Sequence, residues 1–280
     1  MKKSYVGDGR VVLIAGGGKV YTDIAARFVR SERTLEDIIA SPYSRELVQR
    51  IIESGHEASI EFDFFIFGVE GYARVTEVQL VRKRIASYMI KTGRADKAGR
   101  RSFDVVLPEV IEVFQTARVL PVESLSLADG TPIKEVLPEK TSGITYSYNS
   151  TDILKSLEIW YNQGVELGLL EEDLRYLKPQ ATEFKALIGM NAHALRDWFR
   201  IRCCKNAQLE IRDLAGKMLK LCREAAPDLF ADAGPNCVRL GYCPENNMQH
   251  DDCRGKVFTK EQALRILKES ARNKNRVKGR

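Results

Sequence analysis

A chain of 280 residues, 44% hydrophobic and 29% charged, has the composition of a soluble globular protein with room for one large or two small domains. Its net charge of +6 demands no polyanion and suits small anionic ligands at least as well as nucleic acid. There is no run of about 18 apolar residues to span a membrane, and Met1-Lys2-Lys3-Ser4-Tyr5 leads into no apolar signal core, so a cytoplasmic location is expected.

Val11-Val12-Leu13-Ile14 reads as a short buried strand, followed by Gly16-Gly17-Gly18-Lys19 and a helical stretch from Thr22. The glycines lack the G-x-G-x-x-G spacing of dinucleotide sites and the G-K-[ST] of a P-loop, so they read as a turn between strand and helix. Residues 34–54 read as helical, with Pro42 breaking or starting an element. Residues 61–67, rich in Phe and Ile, read as a strand, and 71–83 as a helix. Residues 119–149 change texture: Pro121, Pro132 and Pro138 stand among Gly and Ser with little periodicity, which predicts an inserted excursion with one hairpin. Helical spacing returns over 152–170, with Ser150, Thr151 and Asp152 as caps. A strand over 183–190 and helices over 191–204 and 206–224 follow. Pro227 and Gly234-Pro235 are expected to end the regular structure. Residues 271–280, with five Lys or Arg and no acid, read as a frayed basic tail. There is no internal repeat. Helices flank a few antiparallel-compatible strands without regular strand–helix alternation, so the fold class is α+β, with helices packed around a small, mostly antiparallel sheet.

Six cysteines occur, at 203, 204, 222, 237, 243 and 253. Disulfides are a poor first reading for a cytosolic chain of this size. Cys237, Cys243 and Cys253, with His250, have some metal-site character but lack close C-x-x-C pairs. They read as buried or free thiols, and no metal is assigned.

The densest chemistry lies at residues 79–94, where Arg82, Lys83, Arg84, Lys91 and Arg94 gather around small polar residues. Arginine forks match phosphate oxygens in pairs, so this run suits a phosphorylated ligand as well as it suits a solvated helix end. Arg82-Lys83-Arg84, seven residues, then Thr92 resembles the signature of the flavin-dependent thymidylate synthases, R-H-R, seven residues, then S. Three more segments resemble the same family in order. They are His56-Glu57 before a strand, Arg175 shortly before Pro179, and 191–202 (NAHALRDWFRIR), which is similar to N-A-R-x-L-x-N-F-x-x-L-R. The last continues into Ala207-Gln208-Leu209-Glu210-Ile211-Arg212, which matches A-Q-x-E-I-R.

The resemblance implies that family's α+β fold, a homotetramer with shared active sites, and the conversion of dUMP to dTMP. It implies FAD as cofactor, with NADPH and methylenetetrahydrofolate as co-substrates. No protein cysteine acts as nucleophile in that chemistry. It also implies a single catalytic domain over 1–225, with 226–280 as a cysteine-containing C-terminal extension. Carried over by position, Gln79, Arg82, Thr92, Gly93, Arg94, Arg175 and Arg202 would hold dUMP, with Arg202 catalytic at a uracil carbonyl. His56, Arg82, Lys83, Arg84, Asn191, His193 and Asp197 would face FAD. Taken alone, Asn191 also reads as a helix cap, His193 as a solvated helix residue and Arg175 as a surface ion-pair partner.

The pattern departs at Lys83 for histidine, Thr92 for serine, His193 for arginine and Asp197 for a neutral polar residue. Met89 and Ile90 stand where the family has a polar residue and an acid. Most departures fall on the flavin and folate side, while the nucleotide arginines are kept. Two related readings therefore stand beside thymidylate synthesis: a flavin enzyme acting on another pyrimidine nucleotide, and a non-catalytic nucleotide-binding paralogue. A nucleic-acid-binding module is a more distant third.

Overall fold

A computed structural model describes residues 1–17, 20–91, 102–113, 115–121, 130–132, 143–245 and 248–278; residues 112–113, 115–121, 143–147 and 271–278 are described by backbone alone. The strands are β1 (Lys2–Tyr5), β2 (Arg10–Ala15), β3 (Phe64–Ala73), β4 (Ser87–Ile90), β5 (Asp104–Leu107), β6 (Gln115–Pro121), β7 (Gly143–Asn149) and β8 (Glu183–Asn191). The helices are α1 (Thr22–Phe28), α2 (Leu35–Ala40), α3 (Arg45–Glu53), α4 (Arg74–Leu80), α5 (Glu109–Val113), α6 (Ser150–Glu166), α7 (Glu171–Leu174), α8 (Ala192–Arg202), α9 (Leu209–Ala225), α10 (Pro227–Phe230), α11 (Asn236–Leu240) and α12 (Lys260–Lys278). They fall into two compact units, one of Met1–Tyr5 with Thr92–Glu183, the other of Val6–Lys91 with Phe184–Arg280. Among the described residues no helix is long and apolar enough to cross a membrane.

In the first unit β1 pairs parallel with β5, and β6 pairs antiparallel with β7 from Gln115 opposite Asn149 to Pro121 opposite Gly143. This is the hairpin expected in the 119–149 excursion, begun four residues earlier; residues 122–129 and 133–142 of that excursion lie outside the described set. α6 is capped by Asn149, whose Oδ1 accepts from the Thr151 and Asp152 N–H groups while the Asp152 carboxylate accepts from Asn149 N–H. The cap thus sits one residue before the three expected, and Asp152 completes a reciprocal box. Phe103, Val105, Leu107, Leu154, Tyr161 and Leu174 form the core of this unit.

The second unit is built on a sheet of order β2-β3-β8-β4. Period-2 alternation sends Phe65, Phe67 and Val69 of β3 and Phe184, Ala186, Ile188 and Met190 of β8 into one core with α8 and α9. Several expectations are corrected here. β2 is an edge strand rather than a buried one: Val12 is 41% and Ile14 56% exposed. Residues 57–62 form a 3-10 turn, so the strand starts at Phe64 and runs through Gly71 to Ala73, where a helix was expected. The helical stretch over 34–54 is two helices, parted at residues 41–44 around Pro42. Regular structure does not end at Pro227; that proline opens α10 at a position where its missing N–H costs nothing. α12 runs to Lys278 through most of the expected tail. The glycine turn is as expected in its described part: Gly16 and Gly17 have φ +110° and +85°, and a Cβ on Gly17 would lie 2.6 Å from that of Ala225.

One buried carboxylate ties this unit to its site. Glu210, in the first turn of α9, is 2% exposed. Its Oε1 accepts the Ala73 N–H at 2.8 Å and its Oε2 the Thr76 hydroxyl at 2.6 Å. α4 has no side-chain cap of its own, so Glu210 caps it from across the core. Burial raises the Glu210 carboxyl above its ordinary range, against the opposing pull of these two hydrogen bonds. A raised folded-state pKa favours the protonated fold, so its contribution to stability is fullest at low pH and is lost as pH rises through the folded value. Glu210→Ala should cost about 2 kcal/mol by orphaning two donors. Glu210→Gln, whose carbonyl can accept from Ala73 while its amide donates to Thr76, should cost less than about 1 kcal/mol. Urea unfolding compares the two; equal losses would remove the capping role.

Candidate active site

α4 ends at Leu80, and the chain turns through residues 81–84 before entering β4. Tyr88 on β4 fixes this turn: its hydroxyl lies 2.9 Å from the Leu80 carbonyl and 3.0 Å from that of Lys83. Burial pushes the Tyr88 phenol up to about 12, so it stays a donor at neutral pH. Arg82 and Arg84 stand exposed on the turn, and Lys83 points inward.

α8 supplies the facing side. It begins directly after β8, where the Ala192 N–H donates to the Asp63 carbonyl at 2.7 Å. Asn191 is its N-cap, with Oδ1 accepting from the Ala194 N–H at 2.7 Å, as the cap reading anticipated. Three α8 side chains converge on Glu57 of the 3-10 turn: His193 Nε2 at 3.4 Å, Arg200 Nη2 at 3.3 Å and Arg196 Nη2 at 3.8 Å. Spacings of three and seven put them on one helix face. His193 Nδ1 also lies 3.0 Å from Glu61 Oε1, so this ring sits between two carboxylates while 40% of the side chain stays exposed. Arg196, 2% exposed, also grips Asp232 through two bonds of 2.7 and 2.9 Å, pinning α8 to the segment after α10.

Two departures from the family pattern meet here. The Lys83 ammonium is hydrogen-bonded and ion-paired to the Asp197 carboxylate. The sequence presented them as separate defects, a flexible cation and an added negative charge. The fold makes them one pair, with the Lys83 side chain 16% exposed.

At the end of α8, Arg202 Nη2 donates to the Gln79 carbonyl at 3.2 Å. The Gln79 side chain bonds to Gln208, just before α9. Burial, and then the positive charge of Arg82, lower the Arg202 pKa. Among the described residues no carboxylate lies within ion-pair distance of Arg82, Arg84 or Arg202. Two neighbouring guanidiniums without a counter-charge leave a place for an anion or an electron-rich oxygen.

All of Gln79, Arg82, Lys83, Arg84, Asn191, His193, Asp197 and Arg202 belong to the second unit, where contacts join Lys83 to Asp197 and Arg202 to Gln79. His56 is exposed at the head of the 3-10 turn, next to Glu57. Arg175 belongs to the other unit, on a 3-10 turn of its own (Arg175–Leu177). Thr92, Gly93 and Arg94 lie outside the described residues. The sequence reading missed the support: Tyr88, the Glu57 hub, Glu210, Arg196 and Gln208. Glu210 and Gln208 were visible as fixed letters of A-Q-x-E-I-R, which carry no sign that the acid is buried.

The family model described as thymidylate synthase complementing protein matches residues 17–228. A flavin-dependent thymidylate synthase of Nitratidesulfovibrio vulgaris is 38% identical over 198 residues, 71% of each chain. This chain belongs to the flavin-dependent thymidylate synthase family. A flavin-dependent thymidylate synthase of Geobacter sulfurreducens is 31% identical over 81% of this chain and 83% of its own. One of Pyrococcus abyssi is 30% identical over 78% of this chain and 79% of its own. Among solved structures, a UMP/dUMP methylase, PolB, from Streptomyces cacaoi bound with 5-Br dUMP matches with a TM-score of 0.61. It is 17% identical and covers 82% of this chain and 96% of its own. At that identity the likeness speaks for the fold, and it agrees with the α+β class of this family member.

Proposed function

We propose that this chain is a flavin-dependent thymidylate synthase that methylates dUMP to dTMP. The observation that carries the reading is Arg202 held on the Gln79 carbonyl at 3.2 Å, beside the turn that bears the family signature, in a chain that belongs to the family. FAD is the flavin in this proposal, NADPH its reductant and methylenetetrahydrofolate the one-carbon donor.

The residues present fit a phosphorylated flavin beside a nucleotide. Arg82 and Arg84 are cations with no carboxylate partner among the described residues. The Asn191 amide NH2 is left for a ligand when its oxygen caps α8, and the Lys83–Asp197 pair is neutral as a unit. Reduced flavin supplies the hydride. His56, Arg82, Lys83, Arg84, Asn191, His193 and Asp197 line the flavin side in this proposal. Within the second unit Gln79, Arg82 and Arg202 take the nucleotide in this proposal. Held on the Gln79 carbonyl through one N–H, Arg202 turns its remaining donors to a uracil carbonyl oxygen and stabilises the charge that develops there.

We further propose a cytoplasmic homotetramer; the exposed apolar side chains of Val12, Ile14, Met89 and Leu187 on the sheet of the second unit are in keeping with assembly. In the same reading residues 1–225 form the catalytic domain and 226–280 its extension. A second reading, a flavin enzyme for another pyrimidine nucleotide, is favoured by one observation: Lys83–Asp197 stands where the family signature has histidine.

The visible spectrum of the desalted protein, loaded with FAD and titrated with dUMP, tests both. Retained flavin bands that shift with dUMP, followed by dTMP formation with NADPH and methylenetetrahydrofolate, are expected. Flavin retention with a response to another pyrimidine nucleotide and none to dUMP would select the second reading. A protein that cannot hold flavin would reject both.

A further inference from the structure

The net charge of +6 is not spread along the chain. Residues 260–280 hold eight Lys or Arg and two Glu, a surplus of six, so residues 1–259 balance to zero. All of these cations except Arg280 lie on α12. The helix is firmly rooted at its start. Thr259 Oγ1 accepts the Gln262 N–H at 3.2 Å and Gln262 Oε1 accepts the Thr259 N–H at 2.8 Å, a reciprocal cap. Just before it, the Phe258 carbonyl accepts the Cys243 N–H at 2.7 Å, and buried Gln249 donates to the Val257 carbonyl at 2.9 Å. From that root α12 runs for 19 residues, a length of about 28 Å.

The body of the helix is bare. Of residues 260–270, all but Ala263 are exposed. Among the described residues no ion pair engages Lys260, Arg265 or Lys268. Positions 265, 268, 272 and 276 follow at spacings of three, four and four. The backbone therefore places Arg265, Lys268, Arg272 and Arg276 on one face, in a row about 16 Å long. The apolar positions 264, 267 and 271 form a separate row, about 100° around the helix. Seven cations and two acids on one helix repel each other, and an anionic partner relieves that repulsion. A lipid surface asks for a broad apolar face with aromatic or leucine side chains. α12 has no aromatic residue, and its last seven positions hold a single apolar one, Val277. Its chemistry is that of a phosphate-rich chain met through charge.

We propose that α12 is a docking helix for duplex DNA, bound through its phosphates without regard to sequence. An α-helix of about 10–12 Å diameter matches the major groove of B-form DNA, about 12 Å wide. The deep, narrow major groove of duplex RNA does not admit it. The row from Arg265 to Arg276 meets the phosphates, where each arginine fork can take two oxygens. The reciprocal cap at Thr259 presents the helix already started, so less ordering is lost on binding. α12 lies beyond residues 17–228, which the family model matches, and the inference depends on none of the nucleotide or flavin assignments.

Fluorescence anisotropy of a labelled, mixed-sequence DNA duplex of about 20 base pairs, titrated with the full chain from about 50 to 200 mM salt, is the test. Micromolar binding is expected at the low end, with log K falling against log salt at a slope of about −4 for four phosphate contacts. The variant Arg265→Gln/Lys268→Gln/Arg272→Gln/Arg276→Gln should bind about 30-fold more weakly and lose about three units of slope. A control, Arg30→Gln/Arg50→Gln/Lys155→Gln/Lys220→Gln, removes the same charge from exposed positions elsewhere and should bind within about threefold of the unaltered chain. Equal losses in the two variants would make binding a matter of net charge and overturn the docking role. So would no binding to duplex DNA at about 50 mM salt, tighter binding to duplex RNA of the same sequence, or capture by phosphatidylglycerol vesicles alone. Should the helix variant fail to fold, acetylation of the unaltered chain decides: DNA should protect Lys268 and leave Lys155 and Lys220 open, and equal labelling of the three sinks the proposal. Turnover of dUMP is read separately, so failure here is distinct from failure of the synthase reading.

Discussion

Arg202→Ala should lower the rate of dTMP formation at saturating dUMP by about 10²–10³-fold, the usual loss when one donor to a developing oxyanion is removed. The unfolding free energy should move by less than about 1 kcal/mol, because the side chain gives up a single bond to the Gln79 carbonyl. The reasoning starts from charge. Burial and neighbouring Arg82 both disfavour the Arg202 cation, and no carboxylate among the described residues offsets them. A guanidinium stays ionised under such pressure, so the site keeps an unsatisfied positive potential that an electron-rich ligand atom relieves. That relief grows as charge builds on the ligand, which places the effect in kcat. Arg82→Ala, on the exposed turn, should chiefly raise KM for dUMP, by about tenfold, as loss of one charge-assisted phosphate contact would. Arg202→Lys keeps the charge but loses the planar fork and should fall between wild type and alanine. A kcat for Arg202→Ala within threefold of wild type would remove Arg202 from the chemistry.

The sequence was most legible where its letters encode a period or a cap. Alternation marked β8 and the inward face of β3, because a strand with one buried face must repeat every two residues. Asn191 was readable as a cap because it combines a capping side chain with the junction of an apolar run and a helical one. The boundary between the 3-10 turn and β3 was illegible, since residues 57–62 carry the same Ile and Phe as the strand. Exposure of β2 was equally hidden: Val12 and Ile14 look like core residues, and only sheet order makes them an outer face. At the site, family letters gave the residues but not their pairing. Lys83 and Asp197 lie 114 positions apart, and the same distance rule hid Glu210 beneath α4, 137 residues from Ala73. Contacts of that range follow from the fold and leave no periodic trace.

The Lys83–Asp197 contact predicts that Lys83 cannot be reverted alone. Lys83→Met should weaken flavin retention about tenfold, because it leaves the Asp197 carboxylate, 46% exposed, uncompensated in a site that must accept phosphates. Asp197→Asn should have the smaller effect, since an added free cation beside Arg82 and Arg84 opposes no anion. Solvent screens the exposed half of the pair, which limits the coupling to about 1 kcal/mol. The double variant Lys83→Met/Asp197→Asn should therefore hold flavin better than Lys83→Met, despite carrying one more change. By the same logic Lys83→His, which restores the family letter, should bind flavin poorly until Asp197→Asn is added. Flavin dissociation constants for the four members of each cycle give the coupling directly. Strict additivity would mean that the two charges act separately, and that the departures from the family signature are two independent losses rather than one exchange.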